Sequence, residues 1–404
     1  MTLFRALRLR PFALLWTGQS LSRLGDFIYE IALAWWVLQK TGSAQTMSLV
    51  LIFAITPSVL FSLVGGVVVD RVSRIGLMLA SDAARAVVAL GVAGLGLAGR
   101  LEVWHIFVAS LVFGFVDAFF QPAYAALVPQ IVPEEDLPSA NSLTSLSLNL
   151  GRVAGPAVGA ALVAVVGPPA AFLLNALSFI VSTLLLTPLL RAGLPAPASP
   201  PGPAPPWRDL HQGFATVFAA PWLWITILVF SLTNVTLAGP YSIAMPFLVK
   251  DSMKADVGTL GLLYSVFPLG YIIGGVWLGR YARIRRRGLV MYGTTALAAL
   301  MLGLFGLLPP LWVLLAAALI NGVALEAGHL VWTNSLQSMV PNAQLGRVVS
   351  IDSLGSFGLL PVGLALAGWA TQRFGPPAVF VVGGLFTAVV ALAALAHPAI
   401  RNLD

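Results

Sequence analysis

The chain has 404 residues, of which 58% are hydrophobic and only 9% charged, with a formal net charge of +7. Soluble domains carry about 25% charged residues, so this composition is that of a membrane protein and excludes an ordinary soluble enzyme or nucleic-acid-binding module. Cysteine is absent and none of the three lysines (Lys40, Lys250, Lys254) follows a G-x-x-x-x-G run, which removes disulfides, thiolate sites and ATP hydrolysis through a Walker loop.

The opening "MTLFRALRLRPF" reads as a basic lead into a long first span and is expected to be retained rather than cleaved. Apolar runs of about 20 residues cross about 30 Å of hydrocarbon as helix. Such runs are predicted near 12–38, 47–69, 77–98, 103–128, 139–166, 170–190, 220–249, 257–279, 288–308, 311–338, 346–371 and 377–397, about twelve helices in all. Counting alternate loops puts 14 basic residues on the side of the N-terminus and five on the other, so both termini are expected in the cytoplasm of a cell (inner) membrane protein.

Along helix 1, Gln19, Arg23, Asp26 and Glu30 are spaced by four, three and four residues and project from one face, which is expected to line a cavity. Two carboxylates one turn apart repel, and burial disfavours the charge on both, which suits one of them to take up and release a proton. A fixed Arg23–Asp26 ion pair is the competing reading, and Glu30 is then the titrating group.

The turn after helix 2, "GVVVDRVSRIGL", places Gly66 for close helix approach and Asp70, Arg71 and Arg74 for charge-assisted contacts at the membrane edge. Glu134, Glu135 and Asp136 are the expected partners of the two arginines. In "SDAARA", Asp82 and Arg85 share a helical face. Helix 4 carries Asp117, Phe119 and Tyr124. In helix 5, "NLGRVAGPAVGAAL" repeats Gly151, Gly155 and Gly159 every four residues, one smooth stripe for another helix. Pro156 frees a carbonyl and bends the helix. Arg152, beside the stripe, is expected to face the interior or reach an acid.

"LPAPASPPGPAPP" interrupts the spans and is expected to be an extended linker. In the "WRDLHQGFATVF" that follows, Trp207, Leu210, Phe214 and Phe218 fall at helical spacing, as in a helix lying on the membrane surface. Beyond it, Glu326 and His329 share a face of helix 10 and are candidates to share a proton. Asp352 is expected to cap helix 11. Gln19, Trp35, Phe119, Tyr124, Tyr241 and Trp332 are candidates for an apolar, partly polar substrate wall. Three segment pairs recur: "GGVVVDR" as "GGVWLGR", "VGPPAAF" as "FGPPAVF", and "LVP" at Leu127 as "MVP" at Met339, each about 210 residues apart. This predicts duplicated halves at 1–190 and 220–404, joined by 191–219, with a site between parallel repeats.

"GVVVDRVSR" resembles the helix 2–3 signature of the major facilitator superfamily, and "GRVAGPAVG" resembles the helix 5 signature, G-x-x-x-G-P-x-x-G, of its proton-driven exporters. "LWTGQSLSRLGDFIYEIALAWWVLQKTGSA" with "SDAARA" is similar to the branch containing macrolide-efflux and enterobactin-exporter proteins. The resemblance implies an all-α membrane protein of two pseudo-symmetric six-helix bundles, the major facilitator fold, in which a monomer suffices; with no H-E-x-x-H, no G-x-S-x-G and no cysteine in the sequence, no enzyme, cofactor, metal or nucleic-acid partner is expected. It also implies that the helix 5 element helps seal the halves. Ser73 stands where the first signature usually has glycine, Ile75 where it often has a base, and Asp117 lies in the helix where many drug/proton antiporters carry arginine. The expected function is proton-coupled export of a bulky, partly apolar small molecule by alternating access. Uptake, lipid movement and a non-transporting receptor are the alternatives, because fold does not fix direction.

Overall fold

The computed structural model describes residues 3–69, 71–190, 206–280 and 285–404. Asp70 and the segment 191–205 therefore lie outside the described residues, as do the side chains of Trp207 and Leu210. Among the described residues the chain is all-helical, with no strand. The helices are α1 (Arg10–Thr41), α2 (Ala44–Val69), α3 (Arg74–Leu97), α4 (Val103–Ile131), α5 (Leu137–Val165), α6 (Pro168–Leu190), α7 (Pro206–Ala219) and α8 (Pro221–Gly239). After two π-helical turns, Pro240–Ala244 and Leu248–Ser252, which flank the short α9 (Met245–Phe247), come α10 (Val257–Leu278), α11 (Arg287–Gly303) and α12 (Leu311–Met339). The series closes with α13 (Asn342–Phe357), α14 (Leu360–Phe374), α15 (Pro376–Ala394) and α16 (Pro398–Arg401).

Eleven helical segments among the described residues are long and apolar enough to cross a membrane. The 32-residue α1 is not one of them, although it is about 48 Å long at 1.5 Å per residue. Its middle carries Arg23, Asp26 and Glu30, so its passage through hydrocarbon depends on neighbours that accommodate those charges.

Local chemistry sets the boundaries. Ser73 accepts a hydrogen bond from the Gly76 amide at 3.2 Å and N-caps α3, which gives a role to the residue that departs from the usual signature. Glu102 and His105 form a capping box at the start of α4, each satisfying an amide that the helix leaves open. The repeated Gly-Pro-Pro is a turn device. Gly167 (φ 101°) and Gly375 (φ 82°) take left-handed conformations that only glycine adopts without strain, and the prolines that follow start α6 and α15.

Two compact units emerge. The first comprises the described residues of Met1–Gly42, Leu49–Pro201 and Val257–Ser265, and the second those of Ser43–Ser48, Gly202–Asp256 and Val266–Asp404. Within the first, the glycine stripe of α5 seats α1. A Cβ on Gly155 would run into the Phe27 side chain, and one on Gly159 would come within 3.0 Å of the Ile28 carbonyl oxygen. The opening turns of α10 also lie on this helix, where Gly261 rests against Pro156 and Ala160. Within the second unit, the Ala44 amide donates to Gln372 Oε1 at 3.0 Å, and α7 lies along α13, with Thr216 bonded to Gln344 at 3.2 Å. Phe214 and Phe218 of α7 stack on its exposed face, with ring centroids 6.2 Å apart.

Candidate functional site: a buried charge network on helix 1

α1, α3 and α6 pack together in the first unit, and their polar residues meet. Asp82 is fully buried and Arg85, one turn on, nearly so; they form an ion pair at 2.5 Å. The Arg85 guanidinium lies over the rings of Phe120 at 4.3 Å and Phe179 at 4.6 Å, two faces that stabilise a cation. On the other carboxylate oxygen, Asp82 accepts hydrogen bonds from Ser182 at 2.7 Å and from the Gln19 amide at 3.3 Å, and the same amide also reaches Ser182 at 2.9 Å. Both Asp82 oxygens thus have donors, as a charge held in a low-dielectric interior requires.

Asp82 and Arg85 sit two turns and more inside α3, and the geometry bears on two expectations. Gln19 is buried in their network, not presented on a wall. Arg23 forms no ion pair with Asp26; its guanidinium lies 5.0 Å from the Tyr124 ring centroid, and Tyr124 in turn shares a hydrogen bond with Thr144 at 3.0 Å.

Asp26 is half-buried and receives one long hydrogen bond, from Asn175 at 3.4 Å. Arg85, Asp117 and Asp82 all act on it electrostatically, yet Arg85 is committed to Asp82. Glu30 is exposed on α1, and Arg152 of α5, also exposed, is the opposite charge that acts on it. Asp117 is half-buried on α4, accepting from Gln121 at 3.1 Å and Ser58 at 3.5 Å. Phe119 beside it packs on Phe115 with centroids 5.1 Å apart, and Trp35 is buried.

At the end of α2, Gly66 lies within the helix and Arg71 is exposed just beyond it. Arg74 donates to the Ala126 carbonyl at 2.9 Å. The acids expected to serve Arg71 and Arg74 are taken by Arg5 instead, which pairs with Glu135 at 3.0 Å and Asp136 at 2.6 Å. The N-terminal segment folds back onto the start of α5, where Ser139 also bonds the Ala6 amide at 3.1 Å, and so intercepts those carboxylates.

In the second unit, Glu326 is half-buried and packs beside Gly275 of α10. His329 is exposed, and the acid it influences is Asp352 of α13. Asp352 is no cap: it lies three turns inside α13 and accepts from the Trp332 indole at 3.0 Å and from Ser356 at 3.1 Å. Trp332 is buried, with Trp222 and Phe230 packed across it. Tyr241 is half-buried and meets Phe267 edge-on at 4.9 Å.

The partners missed in the sequence are Asn175, Ser178 and Ser182 of α6. They fall at i, i+3 and i+7, a polar line along a largely apolar span, and that periodicity was the available signal. Among the described residues there is no group of three or more His, Cys, Asp or Glu side chains placed to hold a metal.

The whole chain, residues 1–404, matches the family described as transmembrane secretion effector. It is 24% identical over 397 residues to macrolide efflux protein A of Streptococcus pyogenes, covering 97% of each chain. It is 32% identical over 314 residues to the enterobactin exporter EntS of Escherichia coli, covering 76% of this chain and 72% of that one. Among solved structures it resembles a bacterial homologue of the iron transporter ferroportin (TM-score 0.72, 18% identity, 96% and 99% of the two chains). It also resembles the nucleoside transporter NupG (TM-score 0.70, 14% identity, 96% and 98%). With the match running over its entire length, the chain belongs to the transmembrane secretion effector family, membrane transporters of the major facilitator superfamily rather than enzymes.

Proposed function

We propose that this transporter exports a bulky, partly apolar small molecule in exchange for protons, by alternating access of two six-helix halves, 1–190 and 220–404. The observation that carries the reading is Asp26, an acid in the middle of a spanning helix with one 3.4 Å hydrogen bond and no ion pair. Such a residue is costly in a bilayer unless it serves a function. The cation that acts on it, Arg85, is held by Asp82, so the charge of Asp26 is balanced only when a proton or a substrate arrives.

Protonation of Asp26 removes a net negative charge from the α1 face and changes the relative stability of the two access states, and a substrate that prefers the deprotonated form competes with the proton. Glu30, on which Arg152 acts, and Asp117 of α4, which acts on Asp26, are secondary candidates for carrying the proton. The names of the relatives, a macrolide efflux protein and an enterobactin exporter, support outward transport and a large substrate. The bias of basic residues supports a cell-membrane location with both termini in the cytoplasm, and a single chain carries the whole pathway.

The test is substrate-coupled proton movement in liposomes containing the purified protein and an internal pH dye, with macrolides, lipophilic cations and siderophores supplied in turn. Wild type is expected to move protons with at least one of them. Asp26→Asn is expected to lose this flux by about 100-fold or more, since a general acid–base group typically contributes about 10²–10⁴-fold, while still binding the compound. Unaltered flux in Asp26→Asn overturns the role of Asp26. Binding without flux in wild type overturns proton-coupled export.

A further inference from the structure

Asp352 stands apart from the α1 network and the proposed cycle leaves it unused. It lies in a spanning segment, Gln344–Phe374, with two neutral donors, the Trp332 indole and the Ser356 hydroxyl, one on each carboxylate oxygen. Among the described residues no lysine or arginine forms an ion pair with it, and the basic group that acts on it is His329. A carboxylate offers about four acceptor positions, so each oxygen retains capacity.

The surroundings are aromatic. Trp222 and Phe230 of α8 pack on Trp332 with centroids 5.8 and 5.6 Å away and planes inclined at 71° and 78°, so the indole that donates to Asp352 belongs to a cluster of three rings. Trp332 is buried, Asp352, Trp222 and Phe230 are half-buried, and His329, one turn before Trp332, is exposed. The helix is also broken here: α13 ends at Phe357 and α14 starts at Leu360, with Pro361 in its first turn. Asn234 of α8 donates to the Ser356 carbonyl at 2.9 Å and satisfies an acceptor at the break. Interrupted helices in transporters are tolerated where they line a binding cavity.

We propose that Asp352, walled by Trp332, Trp222 and Phe230, is a binding site for an organic cation: a protonated amine or quaternary centre carried on an apolar body. The carboxylate supplies the counter-charge and the ring faces attract a weakly hydrated cation. A divalent metal ion is disfavoured because one carboxylate and one hydroxyl fall short of the six or more oxygen ligands that hard cations take. An anion is repelled by Asp352. The proposal rests on the exporter reading and sharpens it, since it assigns the charge class of the substrate.

The experiment is equilibrium binding of tetraphenylphosphonium to the full-length protein in lipid nanodiscs, with tetraphenylborate as an anion of the same shape. Wild type is expected to bind the phosphonium about tenfold or more tightly than the borate, and Asp352→Asn, which keeps an acceptor for the indole, to weaken phosphonium binding by about tenfold without changing the borate. Asp352→Glu is expected to restore binding to within about threefold, because charge rather than shape is the requirement. Absence of phosphonium binding in wild type, or equal binding in Asp352→Asn, overturns the site. If Asp352→Asn does not fold, Trp222→Leu decides: weaker phosphonium binding upholds the aromatic walls and unchanged binding overturns them. Asp352-dependent binding in a protein that moves no protons upholds the site while overturning the exporter reading, and proton flux that is indifferent to Asp352 does the reverse.

Discussion

The first and second units use the same helix-packing plan but differ in what they bury within it. At the 208-residue spacing of the Gly167 and Gly375 turns, Asp82 corresponds to Val290, Arg85 to Gly293, Ser182 to Val390 and Gln19 to Ile227. The ion-paired network of the first unit thus maps onto apolar positions in the second. Where the first unit joins α1 to α3 through Gln19 and Asp82, the second joins α8 to α11 through a neutral pair, Thr226 and Tyr292, at 2.8 Å. At the slightly different spacing of Gly65 and Gly274, however, Asp117 corresponds to Glu326, so a carboxylate survives in both halves. This register keeps one acid in both units, while at the 208-residue spacing the buried Asp82 and Arg85 of the first have apolar counterparts in the second.

That contrast can be broken by exchanging the two chemistries. Asp82→Asn leaves Arg85 buried without a counter-ion and is expected to cost about 3–5 kcal/mol, whereas the double replacement Asp82→Leu with Arg85→Met, which imitates the second unit, is expected to recover most of this stability. Thermal unfolding of the two variants in detergent checks the stabilities, and liposome flux is expected to stay lost in both. A stable double variant that still transports would make the network a packing device only. Gly155→Val comes next: its side chain collides with Phe27, and overpacking of this kind is expected to cost about 1–3 kcal/mol, with partial rescue by Phe27→Ala in the same unfolding assay. The smallest effect belongs to the neutral link of the second unit. Tyr292→Phe removes one hydrogen bond while Thr226 keeps its bond to the Trp222 carbonyl, so the expected loss is about 0.5–1 kcal/mol, with transport close to wild type.

The spanning helices and the duplicated motifs were legible in the sequence because each is a property of a single helix or a direct repeat. Partner choice was not. Spacing places Arg23 and Asp26 on one side of α1, but the neighbouring Tyr124 turns the arginine away, and no periodicity within α1 encodes that. The acids at 134–136 were assigned to the nearest arginines of the 2–3 turn, while Arg5, distant in sequence, folds back to take two of them. Asp352 was misread because the span was placed from 346, near its own position; α13 starts earlier, at Asn342, and carries Asp352 well inside. Ser73, by contrast, looked like a defect in the signature, and its hydroxyl proves to be the cap of α3.

The position of α1 among its neighbours also bears on how the protein is made. The most charged span is synthesised first, yet the groups that accommodate it come much later: Asn175 is 149 residues beyond Asp26, and Ser182 is 163 residues beyond Gln19. At about 5–20 residues per second, roughly 8–30 seconds separate the emergence of α1 from that of α6. Asp82 and the glycine groove of α5 emerge earlier, but until α6 appears α1 lacks the partners of Asp26 and part of those of Gln19, so its charged middle is not yet fully accommodated. The first helix made is therefore fully partnered only once α6 has emerged, and weakening α6 is expected to appear first as failed biogenesis.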